Sequence, residues 1–247
     1  MQLNEAYIVA SVRTPVGKAR RGALRNVHPV DLGAVAVTGA LNRLGGFDPR
    51  LVDDVIVGCA FPEGPQGMNM ARAIVQKAGL PNSVPGVTVN RFCSSGLQTI
   101  AQAVGSVTIG QADCVVAGGV ECMSQVPMGG FYFAPDPDLA EEKPEHYSSM
   151  GITAENVADR YGISREDQDA FALQSHQRAV AAIEAGRFEE EIVPVPVSEV
   201  HYDAESRSAK TVAFEHAVDE GPRADTSLEA LAKLKPAFKQ GGSVTAG

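Results

Sequence analysis

The apolar residues in the first part of the chain follow two alternating patterns, short continuous runs and helical spacing. Continuous runs are typical of strands covered on both faces, and apolar positions three or four apart are typical of amphipathic helices. The runs predict strands at residues 7–12, 55–57, 87–89 and 114–117, and the spacing predicts helices at 32–44, at 70–78 and from Leu97 onward. This β-α-β-α-β-α-β order predicts an α/β fold with a parallel or mixed sheet between helices on both sides.

The pattern changes after Gly118 and Gly119. A run rich in glycine, proline and acidic residues at 129–145 cannot continue the array, so we expect an inserted region to begin here. Its acidic positions are better interpreted as a solvated loop than as a binding feature.

Two capping boxes predict helix starts in the later part of the chain. Ser164 with Asp167 predicts a long helix that ends at Gly186, and Thr226 with Glu229 predicts a short helix. In each, a hydroxyl and a carboxylate three residues apart satisfy N–H groups that a helix start leaves unpaired.

Two further stretches resemble strands. Residues 192–197 predict an edge strand, because the two prolines within them cannot donate to a ladder. Residues 243–247 resemble the entry to a strand or turn, and we expect more of the fold to lie beyond Gly247.

Cys93 falls where a predicted strand turns into a predicted helix. The free N–H groups and the positive dipole end at a helix start stabilise a thiolate relative to a thiol, which favours a nucleophile. Ser94, Ser95 and Gly96 are small enough to let a substrate carbonyl approach. The backbone N–H of Cys93 would then point at the oxyanion formed by the attack.

The alternative for Cys93 is a cysteine buried in the core, the commonest environment of a free cysteine. The neighbouring polar residues Asn90, Arg91, Ser94 and Ser95 would not suit a core position. They favour the interpretation of Cys93 as a nucleophile over that of a core cysteine.

Composition and charge exclude several partners. The chain has 247 residues, of which 44% are hydrophobic, so it can bury a sizeable core. Its formal net charge of −9 argues against nucleic acid or an anionic membrane as the main partner, since both favour basic patches. The basic loop at 13–22 lacks a phosphate-binding GxxxxGK[ST] pattern and is interpreted as solvated. No stretch approaches membrane-spanning length and no targeting pattern is visible, so we expect no membrane insertion.

The cysteines and histidines do not form a recognisable metal pattern. Cys59, Cys93, Cys114 and Cys122 include no CxxC pair and no histidine at zinc spacing, so we expect neither a metal site nor a disulfide framework. This usage fits a reduced, cytoplasmic protein, and Cys114 is interpreted as structural. His176, on the predicted long helix, is interpreted as a surface or packing residue.

Longer motifs carry a resemblance that runs along the whole chain. They are Arg-Thr-Pro at 13–15, Val-Asn-Arg-Phe-Cys-Ser-Ser-Gly-Leu-Gln at 89–98, Gly-Gly-Val-Glu-Cys-Met-Ser at 118–124, Met-Gly-Ile-Thr-Ala-Glu-Asn-Val-Ala at 150–158, Ile-Ser-Arg-Glu-Asp-Gln-Asp at 163–169, and 234–247. With these motifs the sequence closely resembles the thiolases, most of all the 3-ketoacyl-CoA thiolases of fatty acid β-oxidation.

The resemblance implies a thiolase-like layered α-β-α fold, here its first βα half with an inserted α/β loop domain. It implies an N-terminal half at 1–118 with the nucleophile, a CoA-binding loop domain at 119–241, and a return toward the N-terminal half at 242–247. The chain would be truncated before the C-terminal half. Relatives of this kind are dimers or larger, so we expect a homodimer or homotetramer, and a multienzyme partner of β-oxidation is left open.

The resemblance also implies a role for individual residues. Cys93 would attack the 3-keto carbonyl and hold the shortened acyl group as a thioester until a second CoA thiol collects it. Arg223 would lie by the CoA nucleotide, Phe238 would line the pantetheine channel, and Met150 would lie close to the reacting acyl group. CoA is a substrate here, and no cofactor or metal is expected. The alternative interpretations are a surface arginine for Arg223 and a core aromatic for Phe238.

Two motifs of the family do not occur. Its base is a histidine in Gly-His-Pro and its second acid/base a cysteine in Cys-x-Gly, whereas here His28 and Pro29 follow Val27. Breaking the carbon–carbon bond requires proton transfer at both reaction partners, so this chain by itself is expected to be incomplete for turnover. The open alternatives are an acetyl-CoA C-acetyltransferase, a non-catalytic half-thiolase that binds CoA or another subunit, and a ketosynthase-type condensing enzyme, which is disfavoured by residues 223–247.

Overall fold

The computed structural model describes residues 3–203, 205 and 207–247. They form two compact units, one of Met1–Tyr132 and Glu189–Gly221 and the other of Phe133–Phe188 and Pro222–Gly247. The first unit contains α1 (Pro29–Asn42), β1 (Asp54–Gly58), α2 (Met70–Lys77), β2 (Gly86–Val89), α3 (Ser95–Thr108), β3 (Val115–Gly119), β4 (Val195–Asp203) and β5 (Ser208–His216). The second contains α4 (Pro137–Glu142), α5 (Met150–Tyr161), α6 (Arg165–Glu184) and α7 (Leu228–Ala232). The domain division expected at 118 and 241 stays a prediction.

A three-stranded parallel sheet lies at the centre of the first unit. Its order is β2-β1-β3, with Val55 of β1 opposite Gly86 on one side and Val116 on the other. The predicted strands at 55–57, 87–89 and 114–117 are confirmed, as is their parallel direction. Because all three strands point the same way, the loops that follow them meet at one edge of the sheet, where open α/β sheets bind ligands.

Helices cover both faces of this sheet. Val55 and Val57 of β1 join the buried cluster that includes Ile74 of α2. Side chains alternate along a strand, so Gly58 points to the opposite face, and a β-carbon there would collide with Ser95 of α3. The first unit therefore has helix, sheet and helix layers, as predicted.

The apolar stripe of α3 does not face the sheet. Leu97, Ile100 and Val104 are exposed, whereas the small polar residues Ser95 and Thr99 are buried. The periodicity predicted the helix correctly, but the face in contact with the sheet is the one with small side chains.

The strand predicted at residues 7–12 is wrong. This segment forms neither strand nor helix, and Tyr7, Ile8 and Val9 are more than two-thirds exposed, at 75%, 77% and 71%. Only Arg13 makes a bridge, in parallel with Ile192. A strand needs hydrogen bonds from a neighbouring strand, and none of the described residues supplies one along 7–12.

A long antiparallel hairpin, β4 paired with β5, replaces the edge strand predicted at 192–197. The strand begins later, at Val195, and continues to Asp203. Val195 and Val197 are buried with Leu24, which anchors the base of the hairpin. The sequence pattern did not predict β5, since its side chains, apart from His216, are exposed and carry little apolar alternation.

In the second unit, the capping box of Ser164 and Asp167 at the start of α6 is confirmed. The second capping box is wrong by one residue: Ser227, and not Thr226, caps α7 by accepting from the Ala230 N–H. Residues 243–247 form no strand. Among the described residues, no helix is both long and apolar enough to cross a membrane.

Candidate active site

Cys93 lies on a single 3-10 turn, Phe92–Ser94, that connects β2 to α3. Its side chain is exposed. The alternative of a cysteine buried in the core is therefore wrong. The sulfur follows the carboxyl end of a strand and immediately precedes the helix, so the N–H groups of the first turn of α3 lie next to it in the chain.

Side chains of the turn itself hold its backbone. The Ser95 Oγ accepts from the Arg91 N–H at 2.8 Å and donates to the Phe92 carbonyl at 2.6 Å. The Ser94 Oγ donates to the Arg91 carbonyl at 3.0 Å. The two serines, which the sequence suggested as small residues that let a substrate approach, thus bond to the backbone and fix the shape of the turn.

Phe92 has a positive φ of 45°, a conformation that costs free energy in a residue with a β-carbon. Two contacts hold it there. Its N–H donates to the Asn90 Oδ1 at 2.8 Å, and its ring lies 6.0 Å from the ring of Phe61. The strained residue directly precedes Cys93, so these contacts also set the direction of the sulfur.

The backbone N–H of Cys93 is available for a ligand. The N–H groups of its neighbours Arg91, Phe92, Ser94 and Ser95 donate to acceptors within the turn. Within the described part of the chain, no acceptor takes the Cys93 N–H. An oxyanion formed next to the sulfur would accept from this free donor.

Gly58 lets the start of α3 lie directly on the end of β1. A β-carbon at position 58 would collide with the backbone and side chain of Ser95. The Thr99 Oγ1 adds a bond to the Gly118 carbonyl at 3.0 Å. The turn that carries Cys93 is therefore braced on the sheet.

The other cysteines are less exposed than Cys93. Burial, with the nearby Glu121 carboxylate, raises the pKa of Cys59 to about 11. Burial, and to a smaller extent the Asp53 carboxylate, raises the pKa of Cys114. Cys122 is buried. Both raised pKa values favour the neutral thiol at physiological pH, which agrees with a structural role for Cys114.

In the second unit, Met150 begins α5 and Phe238 packs beside it. A β-carbon on Gly151 would overlap the Phe238 ring, so the ring lies against the helix backbone one residue after Met150. Both side chains are partly open, at 58% for Met150 and 45% for Phe238. The structure thus brings these two predicted substrate residues together at the start of α5.

Arg223, the third predicted CoA residue, is exposed and lies in the second unit. Its guanidinium pairs with Asp225 at 3.1 Å, and its backbone N–H donates to the His176 Nδ1 at 3.1 Å. His176 therefore positions the backbone of Arg223, a role that the sequence did not suggest. His28, excluded as the family's base, caps α1 by accepting from the Val30 N–H.

A buried carboxylate holds the last described segment of the chain. Glu155 of α5 is only 1% exposed, and its two oxygens accept from the N–H groups of Ser243 and Val244 at 3.0 and 2.9 Å. No sequence pattern pointed to this residue, since a glutamate on a helix is usually solvated. The roles of Cys93, Met150, Arg223 and Phe238 in catalysis or binding stay predictions.

Comparison with known proteins identifies the family. Residues 6–247 match the model of the thiolase N-terminal domain. The chain is 52% identical over 245 residues to a 3-ketoacyl-CoA thiolase of Bacillus subtilis, covering 99% of this chain and 62% of that protein. It is 41% identical over 261 residues to an acetyl-CoA acetyltransferase of Pseudomonas aeruginosa, again covering 99% of this chain and 62% of the relative.

A solved structure has the same fold. The crystal structure of the Bacillus anthracis acetyl-CoA acetyltransferase superposes with a TM-score of 0.81 at 40% identity, over 99% of this chain and 62% of that one. The predicted thiolase-like α/β fold is therefore confirmed. The chain spans somewhat less than two-thirds of the length of these relatives, and it belongs to the thiolase family as its N-terminal part.

Proposed function

We propose that this chain is the nucleophile-bearing part of a 3-ketoacyl-CoA thiolase, an acetyl-CoA acyltransferase of fatty acid β-oxidation. The observation that supports it most directly is the placement of Cys93. Its sulfur is exposed at the start of α3, and its own N–H is free to donate a hydrogen bond to an oxyanion. The similarity to the Bacillus subtilis 3-ketoacyl-CoA thiolase favours this subtype.

The proposed reaction has two halves. The Cys93 thiolate adds to the 3-keto carbon, and the oxyanion accepts from the Cys93 N–H. The bond between C2 and C3 then breaks, acetyl-CoA leaves as a carbanion that takes a proton, and the shortened acyl group stays on the sulfur. In the second half, the thiol of another CoA attacks the thioester, loses its proton, and releases the shortened acyl-CoA with the Cys93 thiolate restored.

The second unit supplies the proposed CoA contacts. Phe238 and the start of α5 offer a partly exposed apolar surface for pantetheine, and Met150 would contact the acyl group. Arg223 would exchange its exposed pairing with Asp225 for a phosphate of CoA, which a planar guanidinium binds well. CoA would act as a substrate, with no cofactor. The assembly would be a homodimer or homotetramer in the cytoplasm, open to a β-oxidation multienzyme partner.

Two other functions compete with this one. The names of the Pseudomonas and Bacillus anthracis proteins favour an acetyl-CoA C-acetyltransferase, which would act on acetoacetyl-CoA. The Gly-His-Pro and Cys-x-Gly motifs do not occur in residues 1–247, which favours a CoA-binding half-thiolase for this segment by itself.

Intact-mass spectrometry of the protein, as its gene encodes it, tests the proposal. Incubation with 3-ketoacyl-CoA substrates of increasing chain length should add one acyl group, and Cys93→Ser should abolish the addition while Cys114→Ser retains it. Undiminished acylation of Cys93→Ser would refute the nucleophile. Acylation by acetoacetyl-CoA alone would support the acetyltransferase, and CoA binding without acylation would support the non-catalytic module.

A further inference from the structure

The Glu121 carboxylate joins two of the loops at the carboxyl edge of the parallel sheet. Glu121 follows β3, and its Oε2 accepts from the N–H of Ala60, in the loop after β1, at 2.7 Å. Its Oε1 accepts from the Gln66 Nε2 at 2.6 Å. Although Glu121 is exposed as a residue, both of its oxygens are engaged.

Gln66 completes this connection from inside the protein. Its side chain is fully buried, donates to the Phe61 carbonyl at 2.8 Å and accepts from the Cys122 N–H. A buried amide with its donors and acceptor satisfied rigidifies the groups around it. The loops after β1 and β3 are thereby held as one piece.

The same loop after β1 holds the turn of Cys93. The Ala60 carbonyl accepts from the Asn90 Nδ2 at 2.9 Å, and the Asn90 Oδ1 accepts from the Phe92 N–H at 2.8 Å. A continuous series of hydrogen bonds therefore runs from Glu121 through Ala60 and Asn90 to Phe92, the residue before Cys93.

Phe92 is the residue that most needs such support. Its positive φ persists only if the surroundings over-determine it, and Asn90 and the ring of Phe61 are what hold it. Phe61 and Ala60 both belong to the loop that Glu121 and Gln66 fix. Releasing Glu121 would loosen both contacts at once and let Phe92 relax.

We infer that Glu121 is a positioning residue for Cys93, acting through Ala60 and Asn90 to hold the strained turn that aims the sulfur and its N–H. This inference rests on the proposed role of Cys93. Glu121 would take no part in bond making or breaking and would act by fixing the position of Cys93. Position matters because a displacement of about 1 Å at a reacting group can lower a rate roughly a hundredfold.

The test compares Glu121→Gln with Glu63→Gln in the protein as its gene encodes it. Glu63 is a matched control, because it lies in the same loop and also accepts a backbone N–H, that of Phe131, but does not connect to the turn. Glu121→Gln keeps one oxygen and must lose either the bond from the Ala60 N–H or the bond from the Gln66 amide. We expect the rate of Cys93 acylation and kcat to fall about ten- to a hundredfold with KM changed less than about twofold, while Glu63→Gln is unchanged.

A double-variant cycle separates positioning from general stability. If Glu121 acts through Asn90, then adding Glu121→Gln to Asn90→Ala slows acylation by a smaller factor than adding it to wild type, because only the Phe61 contact remains to be lost, whereas independent effects multiply. If Glu121→Gln does not fold, Glu121→Asp, which keeps the charge and withdraws the oxygens, is measured instead. Multiplying effects, or an unchanged acylation rate in a folded variant whose parent is acylated at Cys93, would overturn the inference. Absence of acylation at Cys93 in the parent would instead count against the proposed function.

Discussion

The ring of Phe238 lies against the backbone of Gly151, so closely that a β-carbon at position 151 would overlap ring carbons. Gly151 is the second residue of α5, one position after Met150. The missing side chain is therefore what allows an aromatic ring to lie beside the start of this helix, where the CoA contacts are proposed.

Gly151→Ala should displace this ring. Alanine has the better helix propensity by about 1 kcal/mol, and the half-exposed Phe238 can rotate away, so we expect little change in melting temperature. The lost aromatic contact should weaken acyl-CoA binding by about 1 kcal/mol, roughly fivefold. Calorimetric titration of CoA measures this, with Asn156→Ala on the exposed face of α5 as control. Equal affinity in all three proteins would contradict a role for Phe238 in binding.

Cys59 should make stability depend on alkaline pH. Its pKa is raised from an ordinary 9.0 to about 11, by burial first and then by Glu121, so the folded state prefers the neutral thiol. This contribution is complete below pH 9 and is lost as pH rises from about 9 to 11, by about 1–3 kcal/mol. Urea unfolding at several pH values, for wild type and Cys59→Ala, measures the difference. Parallel pH profiles for the two proteins would rule out this titration.

Two carboxylates on α5 should differ greatly in their effect on stability. Glu155→Gln leaves one of two half-buried backbone donors without its acceptor on the buried side chain, and should lower the free energy of unfolding by about 1–3 kcal/mol. Asp159→Asn removes an exposed ion pair with Lys239 and should cost less than about 1 kcal/mol. Thermal melts of both variants provide the comparison, and equal losses would show that the burial of Glu155 is not what matters.

The Arg13–Asp219 pair should stabilise the first unit at neutral pH and lose this effect in acid. Arg13 donates twice to Asp219, and this contact holds the pKa of the carboxyl below its ordinary value of 3.8. The stabilisation is present above that value and is lost as pH falls below it. Asp219→Asn should therefore cost about 1–3 kcal/mol at pH 7. The difference from wild type should shrink below about pH 4. An unchanged difference at pH 3 would contradict this linkage.

The sequence predicted the parallel strands and the place of Cys93 because both depend on local pattern. Continuous apolar runs require cover on both faces of a strand. A strand followed by small residues and then by a helical apolar stripe places the turn between them, at Cys93. The segment 7–12 has the same apolar character and yet forms no strand. Its pattern predicts a buried strand, but both burial and pairing depend on a neighbouring strand that a local pattern cannot reveal.

The contacts that shape the candidate site could not be predicted in the same way. The bonds of Glu121 to Ala60 and Gln66 connect residues more than fifty positions apart, and no spacing rule links them. The sequence also did not reveal which face of α3 contacts the sheet. The close approach at Gly58 leaves room only for small side chains on that face. Long-range hydrogen bonds and close backbone approach need coordinates.

The seating of Ser95 on Gly58 has a mechanical consequence. Loops usually exchange between conformations faster than the elements that they connect, but this turn is pressed against the middle strand of a sheet. The backbone that carries the Cys93 sulfur should therefore open only as slowly as the core does, although the side chain itself is exposed. The amide hydrogen of Ser95, which is bonded to the Phe92 carbonyl, should therefore exchange with solvent as slowly as those of β1.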